Sequence, residues 1–344
     1  MDSLTQAVLG AAVGLAVMRR RTAVWKSALW GAVVGTLPDL EVLVDHGDPI
    51  LNMVLHRAES HALFWLALAA VPMGALVARL HGEWAQRKAW VLALGLALLT
   101  HPLLDALTVY GTQLLIPFTR MPYAVGSVFI IDPAVTLPWL VGVVAALVLR
   151  GSAAGLKANY WGLAIGVAYL AWGVAAQHQV AQVARAQLAA QGLPSQQVLV
   201  TPAPFSSVLW RVVSVDARSV HEGFWSFADG PAPMRFLRYD RGADLDATLL
   251  SHPGLQRVRA FSRGFYALSE VDGRVRVSDL RMGQYPGFVF AFDIATRAPG
   301  GTLQPLESTV AVGGRGGDFG AAVRWLGRRM LGEPVAPPGW PATP

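Results

Sequence analysis

The first half of the chain is a series of apolar runs separated by short polar turns. Leu4–Met18 is the shortest, rich in Ala and Gly, and can span, re-enter or lie tilted. Longer runs follow at Ala23–Val44, His61–Val77, Trp90–Leu107 and Val128–Leu149, with a sixth at Tyr160–Ala176. A helix needs about 20 apolar residues to cross a bilayer core, within a range of about 17–25. The pattern therefore predicts a mainly α protein: a polytopic transmembrane helical bundle of five to six spans over residues 1–176. Gly10, Gly14, Gly31 and Gly35 have small-xxx-small spacing, which lets helix backbones approach closely.

The pattern then changes. Residues 177–196 are rich in Ala and Gln and read as a polar helix or linker ending near Gly192–Pro194. From Gln197 onward, short runs of β-branched and aromatic residues alternate with turn signals at Asp216–Ala217, Asp229–Gly230 and Asp272–Gly273. Gly273–Leu280 and Phe288–Ile294 alternate most cleanly. This predicts a small antiparallel β domain over 197–330. It has no run long enough to span, so it is expected outside the membrane. Its Trp210, Phe224, Trp225 and Phe227 read as core or interface, and its His221, Glu222 and His252 show no ligand spacing. The tail, 331–344, is Pro-rich and expected to be disordered.

Composition agrees with a lipid environment. Of 344 residues, 53% are hydrophobic and only 15% charged, with a mean hydropathy of +0.42; soluble domains carry about 25% charged residues. There is no cysteine, which excludes disulfides and thiolate metal sites. The net charge of +6 fits cytoplasmic Lys/Arg anchors. No basic helix or aromatic–basic strand pattern suggests nucleic-acid binding. Arg19, Arg20, Arg21 and Lys26, then Arg79, Arg87 and Lys88, then Arg150 and Lys157, mark alternate turns as cytoplasmic. The connections at 45–60 and 108–127, and everything after about residue 177, should then face outward.

Ionisable residues beside membrane spans are costly and need a reason. Here they fall on that one predicted side. Asp39 and Glu41 lie in GTLPDLEVL, His56, Arg57, Glu59 and His61 in LHRAESHALF, His101 and Asp105 in THPLLDALTVYGTQ, and Asp132 in FIIDPAVTLP. His101 and Asp105 are four apart and share a helix face. His56 and His61 are five apart, so a loop-to-helix junction would have to bring them together. Imidazole and carboxylate without thiol suit Zn, Mn, Fe or Ni; Zn is the commonest hydrolytic choice, whereas Mg prefers oxygen and water. Plainer readings exist for each residue. A lone His is often only packed. Asp132–Pro133 can be an N-cap followed by Pro at the first helical position. Arg57 and Glu59 can be an interfacial ion pair. An HxxxD pair alone is weak; the ordered set PDxE, HRxxSH and HPLLD is far more specific.

MDSLTQAVLGAAVG, GTLPDLE, HRAESHALF, HPLLDALTVYGTQLLIPF and FIIDP together resemble the bacterial inner-membrane YdjM family, strongly over residues 1–150. Its members are labelled LexA-regulated, membrane-bound, metal-dependent hydrolases, and the family is distantly similar to zinc-dependent phospholipase C and P1 nuclease. The resemblance places the family's motif residues on Asp39, on His56, Arg57, Ser60 and His61, and on His101, Pro102 and Asp105. Three departures stand out: Ala58 replaces the usual Gly, Glu41 replaces an Asp, and Gln6 stands where many relatives have His.

What the resemblance implies is a divalent metal, Zn first and Mn second. His56, His61, His101 and Asp105 would be ligands, Asp39 a ligand or bridging carboxylate, and Asp132 a ligand or an orienting partner. Glu41 or Glu59 would be the general base, and Arg57 would hold a substrate phosphate. The expected substrate is an amphipathic (phospho)ester such as a lipid phosphodiester, met at the outer face of the inner membrane. Tyr110, Thr112 and Gln113 would line the pocket or form an interfacial belt. The β domain would gate the site, bind a partner or present substrate. Two rival readings are a transporter, which would need a polar path and a repeated half that the sequence lacks, and a non-catalytic scaffold stapled by metal.

Overall fold

The structure, a computed structural model, describes residues 1–314 and 318–341. Among them are ten α-helices and ten strands. The helices are α1 (Ser3–Met18), α2 (Val24–Thr36), α3 (Pro49–Leu55), α4 (Leu63–Leu80), α5 (Arg87–Ala106), α6 (Pro133–Val148), α7 (Ala153–Ala190), α8 (Ala243–Thr248), α9 (Pro253–Phe261) and α10 (Phe319–Met330). The chain forms two compact units. The first holds residues 1–44, 56–175 and 204–206; the second holds 45–55, 176–203 and 207–341 of the described chain.

The expected bundle of five to six spans is not what the chain builds. Among the described residues only two helices are long and apolar enough to cross a bilayer, Leu63–Leu80 and Trp84–Ala106. The other runs fall short for identifiable reasons. In Ala23–Val44 the α-helix stops at Thr36, because Pro38 brings no amide hydrogen and the chain tightens into a 3-10 turn over Leu37–Leu43. The 13 residues of α2 are about 20 Å long, against a core of about 30 Å. In Val128–Leu149 the helix starts only at Pro133, capped by Asp132, which accepts from the Ala134 amide at 3.0 Å. At 16 residues each, α1 and α6 reach about 24 Å. The run Tyr160–Ala176 lies inside the 38-residue α7, diluted by Gly162, Gly166 and Gly173 and by Tyr and Trp. Nor is the chain mainly α, since its second unit is built on sheets.

The first unit packs around two apolar clusters. One gathers Val8, Leu15, Leu104, Val135 and Trp139; the other gathers Met18, Leu66, Val77, Trp90 and Leu98. The glycine spacing does the work its pattern suggested. A Cβ on Gly10 would collide with the Gly31 carbonyl oxygen, and one on Gly31 with the Gly10 carbonyl. Helices α1 and α2 therefore touch backbone to backbone. Helices α4 and α5 form an antiparallel hairpin, with Gly74 set against the Val91 backbone. At its closed end Glu83 accepts from Trp90 Nε1 at 2.9 Å and pairs with Lys26 at 2.8 Å.

The second unit has two four-stranded antiparallel sheets and a two-stranded ribbon. Strands β1 (Val198–Pro202), β2 (Leu209–Val215), β3 (Ser219–Ser226) and β4 (Phe236–Asp240) form one sheet in sequence order. The other has the order β10–β9–β6–β5, from β5 (Tyr266–Val271), β6 (Arg274–Asp279), β9 (Ala291–Arg297) and β10 (Leu303–Ala311). The ribbon pairs β7 (Gly283–Gln284) with β8 (Gly287–Phe288). Asp272 and Gly273 close the β5–β6 hairpin with φ of 52° and 71°, the left-handed pair that a two-residue hairpin turn requires. Val213, Val215 and Val220 of the first sheet share a core with Ala267, Leu280 and Phe288. A buried Arg211–Glu222 pair, 2.8 Å apart, reaches the second sheet through a 2.7 Å bond from Arg211 to the Leu280 carbonyl.

The Ala/Gln-rich stretch after residue 176 is helix, not linker, as far as Ala190. Its Ala176, Val180, Ala184 and Leu188 recur every four residues and are all buried; the first three share a core with Val200, Trp210 and Met234. His252 caps α9, its Nδ1 accepting from the Gly254 amide at 3.1 Å. The last three residues of the Pro-rich tail lie outside the described residues. Earlier in that tail, Trp340 lies 6.0 Å from the ring of Phe224.

Candidate metal centre

Three stretches of the first unit bring acidic and imidazole side chains to one point. Asp39 stands on the 3-10 turn that replaces the end of α2. His61 closes a short 3-10 turn, Glu59–His61, just before α4. His101 and Asp105 lie one turn apart on α5, and the spacing of four puts them on one face. One ligand atom from each of these four residues lies within 4.8 Å of all the others. His61, His101 and Asp105 are fully buried.

The distances have a definite scale. The two Nε2 atoms of His61 and His101 are 3.1 Å apart. Asp105 Oδ2 lies 3.3 Å from His61 Nε2 and 3.5 Å from His101 Nε2. Asp39 Oδ1 lies 3.6 Å and 3.4 Å from the same two atoms. Four ligands at about 2.0–2.1 Å around a tetrahedral ion are about 3.3–3.4 Å from one another. The five separations straddle that edge length.

Surrounding bonds aim the rings. His101 Nδ1 is 2.7 Å from the Gly35 carbonyl oxygen, which can only accept, so Nδ1 carries the proton and Nε2 faces the cluster. His61 Nδ1 is 2.8 Å from Ser60 Oγ, and the Ser60 hydroxyl donates to Glu41. Glu41 also accepts from the Arg57 amide and pairs with His56 Nδ1 at 3.1 Å. Arg57 itself is in the left-handed region, with φ 63°. Asp105 Oδ1 is held by the Met1 amine and by Gln6 Nε2 at 3.1 Å. Its Oδ2, turned to the cluster, receives no well-formed hydrogen bond. Burial pushes the Asp39 carboxyl up, but hydrogen bonds from His101 and His61 outweigh it and hold the group below the usual carboxylate range. Burial likewise opposes ionisation of Glu41, and His56, His61 and Ser60 more than offset it.

Residues 1–180 match the family model of the YdjM inner membrane protein. The chain belongs to the YdjM inner membrane protein family. No curated protein and no solved structure matches it. Membership makes it an inner membrane protein, and its candidate metal centre lies within the matched region.

The other residues singled out in this YdjM-family sequence have different surroundings. His56 is outside the four-ligand group; its ring is 6.3 Å from that of His61 and 5.4 Å from that of Tyr110. Arg57 is buried behind Asp105, with Nε 3.3 Å from Oδ2, Nη1 donating to Thr108 at 3.1 Å, and its guanidinium over the Tyr110 ring. Glu59 is exposed and paired with Arg120 at 2.7 Å. Asp132 is also outside the group: it caps α6 and accepts from Tyr169 at 2.9 Å. Burial raises its carboxyl above the usual range. Thr112 pairs its backbone with Tyr123, and the Gln113 backbone amide donates to the Arg57 carbonyl at 2.9 Å.

Sequence reasoning had no means of finding three contributors. The Gly35 carbonyl is backbone, and no side-chain motif marks it. The Met1 amine reaches Asp105 only through the packing of α1 on α5. Gln6 registers in the sequence as a departure, and the structure shows it donating to Asp105 rather than replacing a ligand.

Proposed function

We propose that this YdjM-family protein is a membrane-bound, metal-dependent hydrolase. Asp39, His61, His101 and Asp105 would hold one divalent ion, Zn before Mn, and the substrate would be an amphipathic (phospho)ester such as a lipid phosphodiester. The observation that carries the metal is the meeting of two imidazole Nε2 atoms 3.1 Å apart with a buried carboxylate oxygen that, among the described residues, receives no well-formed hydrogen bond. Without a cation, a proton has to bridge the two rings. A bound divalent ion would be held by these two nitrogens and by the carboxylates of Asp39 and Asp105.

Bound metal would supply a water of lowered pKa and an electrophile for a phosphoryl or carbonyl oxygen. The chain's own groups set the rest. The Gly35 carbonyl and Ser60 hydroxyl fix the two imidazoles in the ligating tautomer. The Arg57 guanidinium, buried against Asp105, balances that carboxylate instead of reaching for substrate. Asp39, Glu41 and His56 form the partly exposed side of the centre. Glu41 holds His56 Nδ1, which leaves His56 Nε2 to pass a proton to or from a substrate on that side. The expected outer-face location follows from the sequence charge pattern and belongs to this proposal.

A scaffold is the second reading, and the ligand count favours it: four protein atoms can fill a tetrahedron, as in structural zinc sites. Cobalt substitution separates the two. A four-coordinate spectrum that shifts when inorganic phosphate is added, together with hydrolysis of a lipid phosphodiester in mixed micelles, supports the hydrolase. A spectrum blind to phosphate, with no turnover, leaves the staple.

A further inference from the structure

The metal centre lies at one end of the two span-length helices. His61 precedes the first residue of α4 by two positions, and Asp105 precedes the last residue of α5 by one. Beside the two ligand-bearing turns the chain exposes large apolar side chains. The 3-10 turn that carries Asp39 and Glu41 continues into Val42 and Leu43, 72% and 81% exposed, with Leu40 and Val44 more than half exposed. The loop at 115–121 runs past the Glu59–His61 turn, which carries another ligand: the Leu63 amide donates to the Leu114 carbonyl at 3.0 Å, and Ile116 packs on Ala58 and Ala62. That loop exposes Phe118 at 77% and Met121 at 51%.

We infer that these two segments form an apolar collar sunk into the lipid leaflet, so that the metal centre opens toward lipid. Three features select lipid as the occupant. The 115–121 loop is continuous with the exposed face of α4 through Phe64, whose ring lies 5.8 Å from that of Phe118. That face carries Leu68, Val71 and Leu76, each more than half exposed, on a helix apolar enough to span, in an inner membrane protein family. Phe64 and Trp65 stand on its first turn, where an aromatic belt meets the headgroups. Finally, the charged members of the two segments are paired within the protein: Asp39 with His61 and His101, Glu41 with His56 and His61, Arg120 with Glu59. Water would leave some six large apolar side chains uncovered around a polar centre. A leaflet covers them and leaves Arg120–Glu59 at headgroup level.

The consequence for substrate rests on the hydrolase reading. A centre ringed this way receives a headgroup from a lipid still seated in its leaflet, in preference to a freely dissolved ester. The insertion itself is independent of catalysis and is tested separately. Because the chain has no cysteine, a single introduced thiol is a unique label site. Nitroxide labels on Leu43→Cys and Phe118→Cys are compared with Leu68→Cys on α4 and with Asp244→Cys, whose side chain is 95% exposed in the second unit. The full chain is reconstituted in phosphatidylethanolamine/phosphatidylglycerol vesicles. Insertion to about 5–10 Å should raise the ratio of oxygen to nickel-chelate collisions at 43 and 118 at least about fivefold above that at 244, toward the value at 68. A ratio equal to that at 244 overturns the inference. So do low collision rates with both reagents, which would mean that protein covers the patch. Metal content measured on the same samples shows separately whether the metal reading holds.

Discussion

Replacing His101 with Ala, set against replacing His56 with Ala, tests the centre most sharply. The sequence treats both as ligands, whereas the structure keeps only His101 in the four-ligand group. A zinc ion held by four side chains in small domains is worth about 10–16 kcal/mol, or about 2.5–4 kcal/mol per ligand if shared evenly. At 1.4 kcal/mol per factor of ten, losing His101 should weaken metal binding by on the order of 10²–10³-fold. The same change leaves the buried Gly35 carbonyl without its 2.7 Å donor, a further cost to folding of about 1–3 kcal/mol. His56 offers no atom to the four-ligand group and reaches it through Glu41 and an edge contact with the His61 ring, so its loss should change affinity by about tenfold or less, the low end for outer-sphere partners.

The assay is metal per chain at fixed free zinc, on untagged protein in detergent, with affinity from chelator competition. Helical content is checked by circular dichroism, so that misfolding is not read as ligand loss. Asp39→Asn supplies a second ligand variant on the partly exposed side, where a folding defect is less of a concern. Loss of metal from His56→Ala with retention in His101→Ala would refute the assignment. Full retention in both His101→Ala and Asp39→Asn would refute the centre itself.

Asp132→Asn should retain full metal content and the α6 cap, because Asn accepts at an N-cap as well as Asp does; metal loss would put Asp132 in the centre. Chelation should lower the thermal midpoint of the wild type by several degrees, since a ligand at 100 times its Kd contributes about 2.7 kcal/mol, and should leave His101→Ala unmoved. Gly31→Leu drives a side chain into the Gly10 backbone and should destabilise the first unit by about 3 kcal/mol or more, read as a lower midpoint; an unchanged midpoint would refute the close crossing. In the second unit, Glu222→Ala strands the buried Arg211 and should cost about 3–5 kcal/mol, whereas Arg211→Met with Glu222→Leu should be far milder, both measured by denaturant unfolding of the full chain.

The positions of the apolar helices were legible, but their lengths were not. Hydropathy averages over a run, whereas the helix answers to single residues: Pro38 stops α2, and Asp132 with Pro133 delays α6. Both interruptions lie in the sequence as polar or helix-breaking residues inside apolar runs, and both matter to function or capping. Of the site, His101 and Asp105 were legible because a spacing of four on one helix implies one face. Asp39 and His61 were legible as chemistry but not as geometry. His56 stays outside the four-ligand group, and nothing local reveals the left-handed Arg57 that stands between the two imidazoles. The Arg57 amide is held by Glu41, 16 residues earlier, and so its placement belongs to tertiary structure.

The choice between hydrolase and staple turns on the asymmetry of the four ligands. Three are fully buried, and their outer bonds run to Gly35, Ser60, Gln6 and the Met1 amine, all inside the first unit. Among the described residues Asp39 has no such support apart from the histidines, and its side chain keeps 19% of its surface open. A staple gains from burying all four ligands equally, because each exposed ligand loosens the joint. A catalytic centre needs one side where a ligand can yield or where the coordination can expand to admit water and substrate. Asp39 is on that side, next to the Glu41–His56 pair, which no closed structural site requires. The apolar collar begins in the same turn, at Leu40. Asp39, Leu40 and Glu41 share one turn of chain, and Glu41 brings His56 to it; placing the most exposed ligand beside the proposed proton carrier and the proposed lipid-facing segment is why the hydrolase reading ranks above the staple.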